Sequence, residues 1–150
     1  EVARQAQQLE EERTQLAEVV SRASMLEISS FQMTPLNKRD RKTTVYSQIL
    51  KLQFDYTIAR NITNTPGLKT LYLRVTRPDG EVMQKNVHDV FAFENSEIAY
   101  SVSKDFEYEG EEVSGAMYWL VEEILQVGIY NADFFVDGEL IGSFPFEIHQ

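Results

Sequence analysis

Carboxylates are the only abundant side chains in this sequence that could take part in catalysis or bind a metal ion. The densest group occupies one connection, residues 105–112, and comprises Asp105, Glu107, Glu109, Glu111 and Glu112. Hard cations such as Ca²⁺ bind oxygen ligands of this kind, and paired carboxylates can hydrolyse glycosides. The Asp and Asn spacing of an EF-hand loop is missing, so the pattern favours a solvated acidic loop over a calcium site.

The side chains of nucleophilic enzymes are scarce. The chain has no cysteine and two histidines, His88 and His149, so thiolate nucleophiles and thiolate metal sites are excluded. His88 lies in an Asn-Val-His-Asp segment without a nucleophile motif, and the sequence contains no glycine-rich phosphate loop. We therefore predict a protein that is not an enzyme, with no catalytic residue, no cofactor and no metal site.

The distribution of charge restricts the classes of partner. The formal net charge of −10 repels phosphate backbones, so general nucleic-acid binding is not expected. One segment differs, because Lys38, Arg39, Arg41 and Lys42 surround the single carboxylate of Asp40. Four cations without interleaved aromatic residues are a thin site for phosphate, and this pattern favours a solvated loop. No apolar run has the length of a membrane span.

The first 27 residues hold no glycine, proline or aromatic residue and are rich in helix-forming residues. A weak heptad pattern gives a narrow apolar seam at Val2, Leu9, Leu16, Val20 and Ala23. The helix could pack on its own domain, or it could end a coiled coil that begins upstream. A rod of about 40 Å can bury little against a small domain, which favours the coiled coil. We predict a helical segment, residues 1–25, and a weak homodimer through the seam.

From Leu26 onward the apolar period changes from helical to alternating. The clearest strands are Ile49–Ile58, Leu71–Val75, Val113–Val121 and the two runs around Asp137-Gly138, a strong hairpin signal. A first strand that stops at Pro35 and a further strand at Ile98, Tyr100 and Val102 are also predicted. No helical pattern interrupts them, so we predict a mainly β fold, an antiparallel immunoglobulin-like β-sandwich, for residues 26–150. The residues predicted to point inward are Leu50, Leu52, Phe54, Leu71, Leu73, Val75, Tyr130, Ala132 and Phe134.

Two further residues refine the prediction of a sandwich. Tyr130 stands at the beginning of the penultimate strand, and Gly128 two residues earlier supplies a turn. This spacing favours a tyrosine corner, in which the hydroxyl is tied back to the backbone; the alternative is one more inward aromatic ring. Trp119 is a candidate for the centre of the core. Pro145 has no backbone N–H to donate to a neighbouring strand, which indicates an edge strand or a bulge.

Two stretches carry a resemblance to a known group of proteins. They are Leu71-Tyr-Leu-Arg-Val-Thr-Arg-Pro-Asp-Gly80 and the C-terminal pieces Val127-Gly-Ile-Tyr130, Val136-Asp-Gly-Glu-Leu-Ile-Gly142 and Phe146-Glu-Ile148. They resemble immunoglobulin-like domains of uncharacterised, mostly Bacteroidetes-type envelope proteins with a membrane anchor and a coiled coil. The resemblance implies a periplasmic protein anchored through a segment upstream of Glu1. It implies no catalytic residue.

Two classes of function follow from this sequence. The first is a structural or protein-interaction module, with a sandwich head presented to an unknown envelope protein on a coiled-coil stalk. The second is a carbohydrate- or calcium-binding sandwich. The aromatic residues that discriminate them are Tyr46, Tyr72, Tyr118 and Trp119. One open face lined by all four would favour sugar binding, and their burial would favour the interaction module.

Overall fold

Alternating apolar and polar residues build the strands of this protein. The computed structural model describes residues 25–149, which form nine strands and one 3₁₀ turn at Tyr46–Gln48. The strands are β1 Ile28–Leu36, β2 Lys51–Ile58, β3 Gly67–Thr76, β4 Val90–Phe93, β5 Ser96–Ala99, β6 Val102–Tyr108, β7 Val113–Leu120, β8 Gly128–Val136 and β9 Glu139–Ile148. All their pairings are antiparallel. The prediction of a mainly β, antiparallel fold is confirmed.

The strands form two main sheets and one separate hairpin. The first sheet has the order β1-β2-β7, and the second has the order β6-β3-β8-β9. β4 and β5 pair only with each other among the described strands, and we call them the outer hairpin. The predicted helix of residues 1–25, with the seam of Val2, Leu9, Leu16, Val20 and Ala23, lies outside the described residues except for Met25. Within residues 25–149, no helix is long and apolar enough to span a membrane.

The two main sheets share one hydrophobic core. Rings from the two sheets meet there: the Phe134 centroid lies 5.7 Å from that of Phe31 and 5.8 Å from that of Tyr56. The predicted inward residues that are buried in this core are Leu52, Phe54, Leu71, Leu73, Val75, Tyr130, Ala132 and Phe134. Alternation along a half-buried strand was therefore a reliable guide to these positions.

Leu50 is the exception, and its predicted burial is wrong. Its side chain is 46% exposed, whereas Ile49 is 5% exposed. β2 begins only at Lys51, and Ile49 follows the 3₁₀ turn at Tyr46–Gln48. The regular alternation therefore starts two residues later than predicted, and before it begins Ile49 packs in the core while Leu50 is exposed.

Three strand boundaries also differ from the prediction. β1 continues through Pro35 to Leu36, which the ladder tolerates because β1 is an edge strand. The predicted acidic connection begins as a strand, since Asp105 and Glu107 belong to β6. The predicted strand around Tyr100 is split into β5 and β6. At the break, buried Ser101 Oγ accepts a hydrogen bond from the Val75 backbone N–H at 2.9 Å.

The closing hairpin is confirmed. Asp137 and Gly138 both have positive φ, 54° and 74°, which is the backbone of a type I′ turn between β8 and β9. Pro145 lies in β9, an edge strand of the second sheet, where a missing ladder donor costs little.

The outer hairpin covers a second hydrophobic cluster on the far side of the second sheet. Phe91 of β4 stacks on Tyr72 of β3 at a centroid distance of 4.4 Å and lies 5.0 Å from Phe135 of β8. Phe91 and Phe135 are both buried. The second sheet is therefore covered on both faces over part of its area.

Candidate functional site

The antiparallel topology gathers the loops at two opposite ends of the sheets. The C-terminal pole consists of loops 37–50, 77–89 and 121–127 and the end of β9. The N-terminal pole consists of residues 25–27, loops 59–66 and 109–112 and the turn at 137–138. A strand of eight residues, such as β2, separates the poles by about 26 Å. A binding site on this fold therefore belongs to one pole or the other.

The C-terminal pole contains a cavity of about 340 Å³ between the loops that follow β3 and β7, which we call the Trp119 cavity. Trp119 is 8% exposed and lies at this end of the core, not at its centre as predicted. Arg77, Lys85, Glu122 and Glu123 also line the cavity. Two cations and two carboxylates leave it without a dominant charge, so it offers no strong attraction to a highly charged ligand.

Lys85 closes one side of this cavity. Its ammonium lies 4.4 Å from the Trp119 ring centroid, an arrangement that the ring quadrupole favours. Lys85 Nζ also lies 3.2 Å from Glu122 Oε1 and donates a hydrogen bond to the Leu120 carbonyl. Because the indole face is covered by this side chain, Trp119 is not available as an open stacking platform for a sugar ring.

A buried tyrosine ties the same pole to the core. Tyr130 Oη donates a hydrogen bond to the Gln126 carbonyl at 2.7 Å, and Gln126 Nε2 donates to Asp79 Oδ2 at 2.8 Å. Burial raises the pKa of Tyr130, which keeps its hydroxyl protonated as a donor. Hydrogen bonds from Gln126 and from the Glu81 backbone lower the pKa of Asp79, which keeps its carboxylate an acceptor. The chain of bonds thus joins loop 121–127 to the turn after β3.

Gly128 lies where that turn packs on the beginning of β8. Its φ is +139°, and a Cβ built on it would lie 2.9 Å from Pro78 Cγ. A larger residue would push the turn away from Tyr130 and would strain the backbone. The predicted pair of Gly128 and Tyr130 therefore lies at a contact between two loops of the C-terminal pole.

The loop that carries Lys38, Arg39, Arg41 and Lys42, which we call the basic loop, also lies at this pole. Beside it is a groove of about 440 Å³, which we call the basic groove. The residues that line it are Asn37, Lys38, Arg39, Ser47, Gln48 and Leu50. Asn37 Oδ1 accepts hydrogen bonds from the backbone N–H groups of Arg39 and Arg41, at 2.9 and 3.2 Å. These bonds set the backbone of the loop, so its cations project from a defined position beside Leu50.

The predicted acidic connection is split between a strand and the N-terminal pole. Asp105 accepts a hydrogen bond from Thr70 Oγ1 at 2.8 Å, and Glu111 forms an exposed ion pair with Arg60 at 3.7 Å. Over residues 25–149, no group of three or more His, Asp or Glu side chains is arranged to hold a metal ion. His88 is exposed in loop 77–89, and His149 Nδ1 lies 3.6 Å from Glu147 Oε1.

The four discriminating aromatic residues do not line one face. Tyr118 and Trp119 are neighbours in β7 with opposite orientations, 49% and 8% exposed. Tyr72 lies under the outer hairpin against Phe91, and Tyr46 is half-buried beside the core. The single open aromatic face that would favour sugar binding is therefore not formed by these residues.

The sequence pattern predicts neither the Trp119 cavity nor the outer hairpin. Lys85 and Trp119 are 34 positions apart in the sequence, and no spacing rule joins a residue of loop 77–89 to the end of β7. The available signal was local: Phe91 and Phe93 alternate before Asn95, which indicates a short aromatic-bearing segment but not the face that it covers.

The chain belongs to the family described as a domain of unknown function (DUF8428), whose model matches residues 29–149. No curated protein sequence matches it. Two solved structures are similar at low identity. One is a β-glucosidase from Kluyveromyces marxianus, with 10% identity and a TM-score of 0.48, covering 83% of this chain and 14% of that one. The other is the alkylpurine DNA glycosylase AlkC of Pseudomonas fluorescens bound to DNA containing an abasic site analog, with 13% identity and a TM-score of 0.44, covering 83% and 30%. The chain thus spans less than a third of either protein.

Proposed function

We propose that residues 26–150 form an immunoglobulin-like β-sandwich that serves as a non-enzymatic protein-interaction module. The strand order supports this fold, because three strands, β1-β2-β7, face four strands, β6-β3-β8-β9, across one core. Immunoglobulin-like and fibronectin-like domains share this architecture of two packed antiparallel sheets. The bond from Tyr130 Oη to the Gln126 carbonyl, near the beginning of the penultimate strand, is the geometry of a tyrosine corner and supports the same assignment.

The observation that carries the interaction role is the apolar surface of the C-terminal pole. Ile124, in the lining of the Trp119 cavity, is 72% exposed, and Leu120 is 57% exposed. Leu50 of the basic groove lies near Leu120, because its carbonyl accepts a hydrogen bond from the Val121 N–H at 2.8 Å. Exposed apolar side chains close together, rimmed by polar residues, mark sites of protein association. Fully desolvating such a side chain contributes about 1.5–3 kcal/mol to binding. Burial of these side chains by a partner therefore favours association at this pole.

The direction of the chain supports a head presented on a stalk. The chain reaches the domain at Met25 in the N-terminal pole, where the Met25 carbonyl accepts a hydrogen bond from Asn61 Nδ2 at 2.9 Å. The C-terminal pole therefore lies at the opposite end of the domain from Met25. We propose that residues 1–25 are the end of a coiled coil, that they pair two heads weakly, and that the protein faces the periplasm of a bacterial envelope, anchored upstream.

The alternative, a carbohydrate- or calcium-binding sandwich, has weaker support from the same residues. Lys85 covers the Trp119 ring. In the predicted acidic connection, residues 105–112, the carboxylates have separate partners, since Asp105 accepts a hydrogen bond from Thr70 and Glu111 pairs with Arg60. Neither a stacking platform nor a shell of oxygen ligands results.

A capture experiment with pole-specific variants tests the proposed function. The full 150-residue chain is immobilised and exposed to a bacterial envelope extract. The C-terminal-pole variant I124D and the matched N-terminal-pole variant I62D, at a residue that is 79% exposed, are treated in the same way. We expect a defined set of proteins on the wild type and on I62D, and its loss on I124D. Retention by I124D, or binding only to soluble glycans or Ca²⁺, would contradict the proposal.

A further inference from the structure

The basic loop concentrates positive charge on an acidic protein. Four of the 14 basic side chains lie within five positions, at Lys38, Arg39, Arg41 and Lys42, and all four are exposed. Among the ion pairs of residues 25–149, none involves these four cations. The one carboxylate between them, Asp40, pairs instead with Lys51 at 3.0 Å. The four charges are therefore not neutralised within the domain.

The groove beside these cations offers two other kinds of contact. Leu50, at 46% exposed, supplies an apolar surface in the lining of the groove. Ser47 and Gln48 of the 3₁₀ turn line it as well and present a hydroxyl and an amide, which can bond to a peptide backbone. Cations, one apolar contact and neutral hydrogen-bonding groups are thus arranged along one groove.

We propose that the basic groove binds an extended acidic polypeptide segment that carries one apolar side chain. Carboxylates of the segment pair with the cations of the loop, and its apolar side chain packs on Leu50. The inference rests on the proposed protein-interaction function and names the chemistry of the partner. A flat anionic membrane or a nucleic acid would also meet Glu122 and Glu123 of the same pole, on a protein of net charge −10. A single acidic peptide segment contacts only the groove and so avoids the repulsion of these carboxylates.

Fluorescence anisotropy measures the binding directly. The probe is a fluorescein-labelled peptide made of glutamates around one central leucine, and the full chain is the titrant. We expect saturable binding that weakens as ionic strength rises from roughly 0.05 to 0.5 M, because the Debye length falls. A peptide with lysines in place of the glutamates is expected not to bind.

A pair of charge-matched variants locates the site. R39E/R41E reverses two cations of the basic loop, and we expect it to weaken binding about 10-fold or more. R60E/K104E makes the same change of charge at two exposed positions away from the groove, and we expect an effect within about 2-fold. L50S tests the apolar contact, with an expected loss of about 3-fold. Circular dichroism and thermal unfolding confirm that each variant is folded.

Three results would overturn the inference. One is the absence of saturable peptide binding while the I124D-sensitive capture from extract persists, which would leave the interaction function standing without this partner. The second is equal weakening by R39E/R41E and R60E/K104E, which would show an effect of net charge alone. The third is binding to vesicles containing phosphatidylserine without binding to the peptide, which would assign the cations to a membrane surface.

Discussion

The two poles of the domain use the same anchor and present different surfaces. At the N-terminal pole, Tyr108 Oη donates a hydrogen bond to the Ala59 carbonyl at 2.8 Å. At the C-terminal pole, Tyr130 Oη donates to the Gln126 carbonyl at 2.7 Å. Both rings are fully buried. In each case the tyrosine ring fills one end of the core. Its hydroxyl group fixes a neighbouring loop to that end of the sheets.

Backbone hydrogen bonds join the loops at both poles, and at the C-terminal pole the Val121 N–H donates to the Leu50 carbonyl at 2.8 Å. The N-terminal pole is tied by backbone bonds, from Ala59 N–H to the Glu27 carbonyl at 2.9 Å and from Asn61 N–H to the Gly110 carbonyl at 3.0 Å.

The C-terminal pole contains the Trp119 cavity and the basic groove and exposes Ile124, and the N-terminal pole has a groove of about 420 Å³ and exposes Ile62. The poles differ in charge, because the exposed cations of the basic loop lie at the C-terminal pole and the exposed carboxylates Glu109, Glu111 and Glu112 lie at the N-terminal pole. Since the described chain begins at Met25 in the N-terminal pole, we propose the C-terminal pole as the end that meets a partner.

Removing either tyrosine ring should have the largest effect. We expect Tyr130→Ala and Tyr108→Ala each to lower the free energy of unfolding by about 3–5 kcal/mol, because each leaves a large cavity at one end of the core. Urea unfolding followed by circular dichroism measures both. A loss below about 1 kcal/mol at either position would show that this ring does not support its pole.

Two glycines at the beginnings of strands separate backbone strain from packing. Gly128 and Gly67 have similar φ values, +139° and +145°, but only Gly128 faces a neighbour, Pro78 Cγ, where a Cβ would lie. We expect Gly128→Ala to lower the free energy of unfolding by about 1–3 kcal/mol. Gly67→Ala should lower it less, because that variant has the backbone strain without the steric clash. Thermal unfolding of the two variants makes the comparison. Equal losses would remove the packing of Pro78 on β8 from this account.

The hydroxyl groups alone should contribute less than the rings. We expect Tyr130→Phe and Tyr108→Phe each to cost about 1 kcal/mol, the net value of one hydrogen bond lost with its acceptor left behind. The matched pair measures whether the two anchors are equivalent. A neutral Tyr130→Phe beside a costly Tyr108→Phe would break the symmetry of the poles.

The same tyrosines predict a pH dependence in the alkaline range. Burial raises the pKa of Tyr130, Tyr108 and Tyr56 above their ordinary value of 10.0. Above that pH the unfolded chain loses protons that the folded chain retains, so the contribution of these tyrosines to the free energy of unfolding should be constant below it and should fall as pH rises through the folded pKa values. Tyr130→Phe should make the fall shallower. An unchanged slope would show that the Tyr130 hydroxyl is not protected by the fold.

Lys85 should have the smallest effect on stability. Its contacts with Trp119 and Glu122 are partly solvated, and we expect Lys85→Ala to cost about 0.5–1 kcal/mol. The more informative readout is Trp119 fluorescence, since the domain contains one tryptophan and removal of Lys85 uncovers its ring. An emission spectrum that does not change would contradict the covered geometry of the Trp119 cavity.

The parts of the fold that the sequence predicted are those with local signals. Alternation along β2 identified Phe54 as buried, and Asp137-Gly138 located the last turn, because both depend on neighbours in the chain. Leu50 was misplaced because a 3₁₀ turn shifted the start of the alternation. The Trp119 cavity could not be predicted, since Lys85 reaches Trp119 through a loop whose path depends on tertiary packing.

We propose that the C-terminal pole is the binding end of the domain. Site-specific photocrosslinking tests it most directly, with a photoreactive phenylalanine analogue placed at Ile124 in one sample and at Ile62 in the other. These side chains are 72% and 79% exposed and lie at opposite poles. In envelope extract, we predict a discrete protein adduct from position 124 and none from position 62. An adduct from position 62 alone, or no protein adduct from position 124, would contradict the account.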